Sequence, residues 1–174
     1  GAEGGRCVRG LPSGPVGAVA GTHACLAHHG EHLRLGLVRI LDQRIRARAR
    51  QQQPDLPPLV IVGRPGHGIP EIWPEGVIRV PQLPHGDLVH LYHGAQLMLF
   101  PSRFESFGLP AAEALAAGVP LIVSDDSALP EIVGDAAVKV PVDDAAALAA
   151  AVVRLLREAP ERERLRAAGR ERAS

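Results

Sequence analysis

Short apolar runs alternate along this chain with longer stretches in which apolar residues return every three or four positions. Residues 59–62 form one such run, closing on Gly63, and 77–80 and 137–140 form others. Residues 97–100 and 119–123 read as strands buried on both faces, the pattern that parallel sheets impose. Between these runs the period changes. Over 31–50, Leu33, Leu37, Val38, Leu41 and Ile45 make one face of an amphipathic helix, with Arg39, Arg44, Arg46, Arg48 and Arg50 on the solvated face, until Pro54, Pro57 and Pro58 end it. A helix over 87–94 turns Leu88 and Leu91 inward. One over 143–158 opens with Asp143 and Asp144 at its positive end and buries Leu148, Val152 and Leu155. Residues 160–174 form a charged last helix whose Glu and Arg spacing suits exposed intrahelical pairs. Strand and helix alternate throughout, which predicts an α/β fold: a doubly wound parallel sheet with helices on both faces, Rossmann-like.

Before residue 31 the pattern fades. Residues 1–13 are rich in Gly, Arg and Pro without periodicity and read as a flexible tail, and 16–20 is a short, small-residued strand candidate. The chain divides on this basis into a poorly ordered or degenerate segment, 1–30, and one α/β domain, 31–174. Neither Gly14, Gly17 and Gly21 nor Gly63, Gly66 and Gly68 has the spacing of a dinucleotide fingerprint, and no Gly-Lys-Ser/Thr of a P-loop occurs. His23, Cys25, His28, His29 and His32 crowd together, but with one thiol and no standard finger spacing they read as an exposed polar loop in preference to a zinc site. Trp73 reads as packing.

The most informative stretch is 97–125. Its first strand stops at Pro101, which has no amide for a ladder; a loop follows to Gly108, and a helix opens at Pro110, where a missing N–H costs nothing. That helix closes on Gly118, with Pro120 beyond it, and the next strand follows. In such a βαβ unit the loop lies at the carboxyl end of the first strand, where open α/β sheets bind ligands. The amides of Ser106, Phe107, Gly108 and Leu109 lead into a helix N-terminus, which favours phosphate, and Gly108 lets backbone approach it without a Cβ in the way. Glu105 and Glu113 bracket that anion site, and ionised carboxylates accept from vicinal hydroxyls. Phosphate between two hydroxyl-binding groups spells a nucleotide sugar. The bland alternatives are a first-turn Glu113 favoured by the helix dipole alone and a Glu105 that is merely solvated.

The run Glu-Ser-Phe-Gly-Leu-Pro-Ala-Ala-Glu-Ala-Leu-Ala-Ala-Gly-Val-Pro-Leu-Ile from Glu105 resembles the E-x7-E segment of family 4 glycosyltransferases, retaining enzymes of the GT-B fold. The upstream Leu-Phe-Pro-Ser and the downstream Ala-Leu-Pro-Glu-Ile-Val-Gly-Asp match the same pattern, and the resemblance extends over about 59–169. It implies that Glu105 contacts the transferred sugar as the catalytic residue, that the amides of 106–109 hold diphosphate and sugar, and that Glu113 binds the ribose. It implies a nucleoside-diphosphate sugar as donor, with no cofactor and no metal. The partner half of the fold, which would bind a glycan, lipid or other hydroxyl acceptor, is not in this sequence, and the family continues past Ser174, so the chain is expected to be cut at both ends. His29 stands before Gly30 where the family carries a diphosphate-neutralising lysine. The expected function is therefore a glycosyltransferase donor domain, inactive alone. The alternative is a non-catalytic nucleotide-sugar-binding or interaction domain derived from one. A nucleotide-sugar epimerase or a phosphorylase shares the architecture, but no lysine suggests itself for a pyridoxal cofactor.

Composition narrows this further. At 174 residues one domain is expected. Nineteen basic residues balance nineteen acidic ones, which gives no electrostatic case for nucleic acid or an anionic membrane as the main partner. Lys139 is the one cation that is not arginine, a skew that reads as coding bias. Two cysteines make no disulfide framework, and no apolar run reaches the length of a membrane span, so a cytoplasmic protein is expected, at most peripheral to the inner membrane face. Base recognition is expected near 80–83.

Overall fold

A computed structural model describes residues 16–21, 46–63, 75–80 and 83–174. The histidine-rich segment 23–32 with His29, most of the helix expected over 31–50, Trp73 and half of the expected base-recognition segment lie outside the described residues.

Six strands make one sheet: β1 (Val16–Gly21), β2 (Leu59–Val62), β3 (Val77–Val80), β4 (Ala95–Phe100), β5 (Leu121–Ser124) and β6 (Val138–Val140). Their spatial order is β3-β2-β1-β4-β5-β6, and every neighbouring pair is parallel. β1 lies within the segment 1–30 set apart above, yet it pairs with both β2 and β4, so the sheet takes a central strand from there. Its Val-Gly-Ala-Val-Ala-Gly sequence carries little apolar bulk, which is why the pattern there is faint.

Six helices are described: α1 (Arg46–Gln52), α2 (His85–Gly94), α3 (Leu109–Ala116), α4 (Leu129–Val133), α5 (Ala145–Arg157) and α6 (Ala159–Ala173). The strand period of two sorts the core into two layers. Val60, Val62, Met98, Phe100, Leu121 and Val123 face one side with α2, α3 and α4. Leu59, Ile61, Leu97, Leu99 and Ile122 face the other with α1 and α5. The sheet is thus covered on both faces, as expected, and each fully buried aliphatic side chain contributes about 1.5–3 kcal/mol relative to exposure. Among the described residues, Ser124 at the end of β5 is the buried polar one.

Three further features differ from the expected pattern. The strand read from 119 begins at Leu121, because Val119 and Gly118 donate their amides back to Ala114 and Leu115, closing α3 in a Schellman motif with Gly118 at φ 66°. The five-residue α4 falls in the run 128–135, for which no element was expected, because it is too short to show a period.

The third concerns α6. One intrahelical pair forms, Arg166 to Glu163 at 3.3 Å, but three arginines, Arg166 among them, reach backbone carbonyls elsewhere. Arg162 donates to Leu155 and Leu156 at the end of α5, Arg166 to Gly118 just past α3 at 3.0 Å, and Arg172 to Ile132 and Glu131 in α4 at 3.0 and 2.7 Å. Helix ends leave carbonyls unpaired at the negative pole of the dipole, and a guanidinium satisfies both demands. No described helix is long and apolar enough to cross a membrane.

Candidate functional site

The strand order reverses between β1 and β4, where Ala20 stands beside Leu99. Parallel sheets open a crevice at that point, at the carboxyl ends of the strands. The loop after β4 starts there at Pro101 and runs into Gly108, the residue before α3.

Gly108 has φ 75° and ψ 47°, a left-handed conformation that a Cβ disfavours. The space around it is also closed: a Cβ there would stand 2.9 Å from Leu129 Cδ2. Buried Phe100 and Leu129 therefore press the loop backbone into one path. A second tie comes from the β5–α4 connection. The Glu105 amide donates to Ser127 Oγ at 3.0 Å, and the Ala128 amide donates to the Glu105 carbonyl at 3.4 Å. Ser127 itself is at φ 52°.

Held this way, the amides of Ser106, Phe107, Gly108 and Leu109 find no acceptor among the described residues. They form a row of donors at the positive end of α3, the chemistry of an anion site. The side chains of Phe107 and Leu109 stand outward, 59% and 54% exposed, so it is the backbone of this row that the core supports.

Glu105 directly precedes this row in the loop, and Glu113 lies on α3 four residues past Leu109; both are partly exposed. α3 begins at Leu109 with no acidic residue in its first turn, so the dipole does not account for Glu113. What does engage it is Tyr92 on α2, whose hydroxyl donates to Glu113 Oε2 at 3.0 Å. The Tyr92 ring is 3% exposed, and burial first, then the Glu113 charge and the bond to it, push the phenol above its ordinary value. The helical reading of 87–94 turned Leu88 and Leu91 inward and passed over Tyr92. The one signal available was that this is the single tyrosine of the chain, placed next to an inward leucine.

Farther along the same sheet edge, Arg103 Nε pairs with Asp143 at 2.8 Å. Asp143, expected within a helix, lies outside it at φ 61°. Asp144 caps α5 by accepting from the Ala146 and Ala147 amides, both at 2.9 Å. An open groove of about 530 Å³ lies between Arg48, Arg103 and residues 141–145.

Comparison with known proteins bears on the family and the fold. A family described as "Glycosyl transferases group 1" matches residues 72–172. The chain is 36% identical to the O-antigen chain mannosyltransferase B of Escherichia coli over 114 residues, which are 61% of this chain and 30% of that protein. It is 41% identical to a glycogen synthase of Mycobacterium tuberculosis over 53% of this chain and 23% of that one. Among solved structures, sucrose-phosphate synthase from Thermosynechococcus elongatus superposes with a TM-score of 0.67 at 26% identity, covering 94% of this chain and 41% of its own. The apo structure of OtsA, at 14% identity and a TM-score of 0.69, shares the fold. The chain thus spans less than a third of the length of these two curated relatives.

Proposed function

The chain belongs to the group 1 glycosyl transferases, and on that footing we propose that it is the donor-binding domain of a retaining, metal-independent glycosyltransferase of family 4 that uses a nucleoside-diphosphate sugar. The observation that carries this reading is the row of unpaired amides at 106–109, at the point where the strand order reverses, with Glu105 just before it in sequence and Glu113 on the helix that follows.

In this reading the amides of Phe107, Gly108 and Leu109 hold the diphosphate, Glu113 accepts from the ribose hydroxyls, and Glu105 contacts the transferred sugar. The nucleoside diphosphate leaves as an acceptor hydroxyl attacks the same face of the sugar. Fixed N–H donors aimed at the leaving phosphate stabilise the charge that grows there. The acceptor, a glycan, lipid or other hydroxyl compound, comes from a partner half of the enzyme.

A second reading, a nucleotide-sugar-binding domain without turnover, draws on His29. A histidine is mostly neutral at pH 7 and stabilises a departing diphosphate less than an ammonium does. A thermal-shift screen against nucleoside diphosphates tests what both readings share, since a ligand of the native state raises the midpoint by mass action. No stabilisation by any of them would remove both. Incubation with labelled nucleotide sugars, hydroxyl acceptors and the partner half separates them: a transferase releases nucleoside diphosphate, while a binding module saturates without release.

A further inference from the structure

Tyr92 stands two residues from the end of α2, in the same core layer as Leu88, Leu91, Met98 and Phe100. A ring held on all sides by such neighbours has little rotational freedom, and its hydroxyl therefore has a fixed position. That hydroxyl donates to Glu113 Oε2 across the boundary between two crossover helices. Glu113 is different in kind: a three-torsion side chain, partly exposed on α3.

The bond has two consequences for a ligand. It occupies one site on Oε2 and leaves Oε1 without a partner among the described residues. A carboxylate accepts at about four lone-pair sites, so room remains for two hydroxyls at once. The bond also selects one rotamer of Glu113 before any ligand arrives, which removes an ordering cost from binding.

Building on the ribose-binding reading of Glu113 above, we propose that Tyr92 is the positioning residue of the nucleotide site: its buried hydroxyl orients the Glu113 carboxylate and thereby sets the preference of this domain for ligands carrying both ribose hydroxyls. Tyr92 touches no ligand itself and acts through Glu113 alone.

The test is calorimetry on the purified chain with the tightest-binding common ribonucleoside diphosphate and with its 2′,3′-dideoxy form. Wild type binds the ribonucleotide more tightly. Tyr92→Phe, which removes the hydroxyl and keeps the ring, lowers ribonucleotide affinity about three- to tenfold, the cost of ordering one free side chain on binding. The dideoxy ligand, which makes no ribose bond, binds Tyr92→Phe as it binds wild type. Equal loss with both ligands, or loss with neither, overturns the proposal and leaves the ribose reading intact. A wild type that binds both ligands equally overturns the ribose reading and this proposal together. Glu113→Asp gives a second route should Tyr92→Phe fold poorly. It keeps the charge, draws the carboxylate back from the phenol, and loses the same preference. A Glu113→Asp variant that keeps the wild-type preference for the ribonucleotide overturns the proposal.

Discussion

Tyr92 and Glu113, 21 positions apart in sequence, are joined by a 3.0 Å hydrogen bond that ties the helix before β4 to the helix after it. The donor is buried and the acceptor partly exposed, so the two ends respond differently to removal. Glu113→Ala strands a phenolic hydroxyl in the core at a cost of about 1–3 kcal/mol, while Tyr92→Phe leaves a carboxylate that water can still reach. Urea melts are expected to show Glu113→Ala as the less stable single variant, with the double variant no worse. A double variant well below Glu113→Ala would contradict this.

Glu113→Ala is also expected to weaken nucleoside diphosphate binding by about 1.5–3 kcal/mol, the range for hydrogen bonds to a charged group. Calorimetry checks it, and an unchanged affinity would take Glu113 out of the site.

Gly108→Ala meets two obstacles, the left-handed backbone at φ 75° and the 2.9 Å approach of Leu129 Cδ2. The first costs about 1–2 kcal/mol by itself. A lower denaturation midpoint is expected together with weaker phosphate binding, because the loop must leave the path on which its amides line up. Native stability would mean that the loop has slack the packing does not show.

Alkaline pH offers a spectroscopic handle, since the chain has a single tyrosine and a single lysine, Lys139. Folding raises the Tyr92 phenol above its unfolded value, chiefly by burial. Unfolded chains lose this proton near pH 10. Below that pH both states hold it, and the contribution to stability is complete. Above it the unfolded state holds fewer protons than the native one, so stability falls by up to about 1.4 kcal/mol per pH unit. Phenolate absorbance is expected to rise together with unfolding, and Tyr92→Phe removes that part of the alkaline loss. Phenolate appearing near pH 10 while the circular dichroism stays native would contradict the burial.

Asp144→Ala serves as a counterpart. It removes acceptors for two helix-start amides and is expected to cost about 0.5–2 kcal/mol of stability. Nucleotide affinity, measured below the melting range, is expected to hold. If it falls as far as in Glu113→Ala, the site extends along the sheet edge to the β6–α5 turn.

Much of this site was legible in the residues because its signals are local. Pro101, Gly108, Pro110 and Gly118 each carry a backbone constraint that needs no distant partner, and they bounded the loop and helix to within a few positions. Tyr92 was not legible as a partner of Glu113, because a contact across 21 residues depends on how two helices pack. The same holds for Ser127, whose hydroxyl meets the Glu105 amide. The arginines of α6 misled for the opposite reason: their spacing fits local pairs well, but the open carbonyls of α3, α4 and α5 lay within reach and were the better partners.

That last arrangement has a mechanical side. α3 offers the amides before its first turn to a ligand, while just past its other end Gly118 is moored by Arg166, on a helix far along the chain. A strut fixed at one end holds its open end steadier, and that steadiness depends on the fifteen residues of α6, which lie beyond the loop and its helix. Loosening that mooring would let the whole cradle swing, so lesions in the tail and lesions in the loop should blunt the same affinity by different routes.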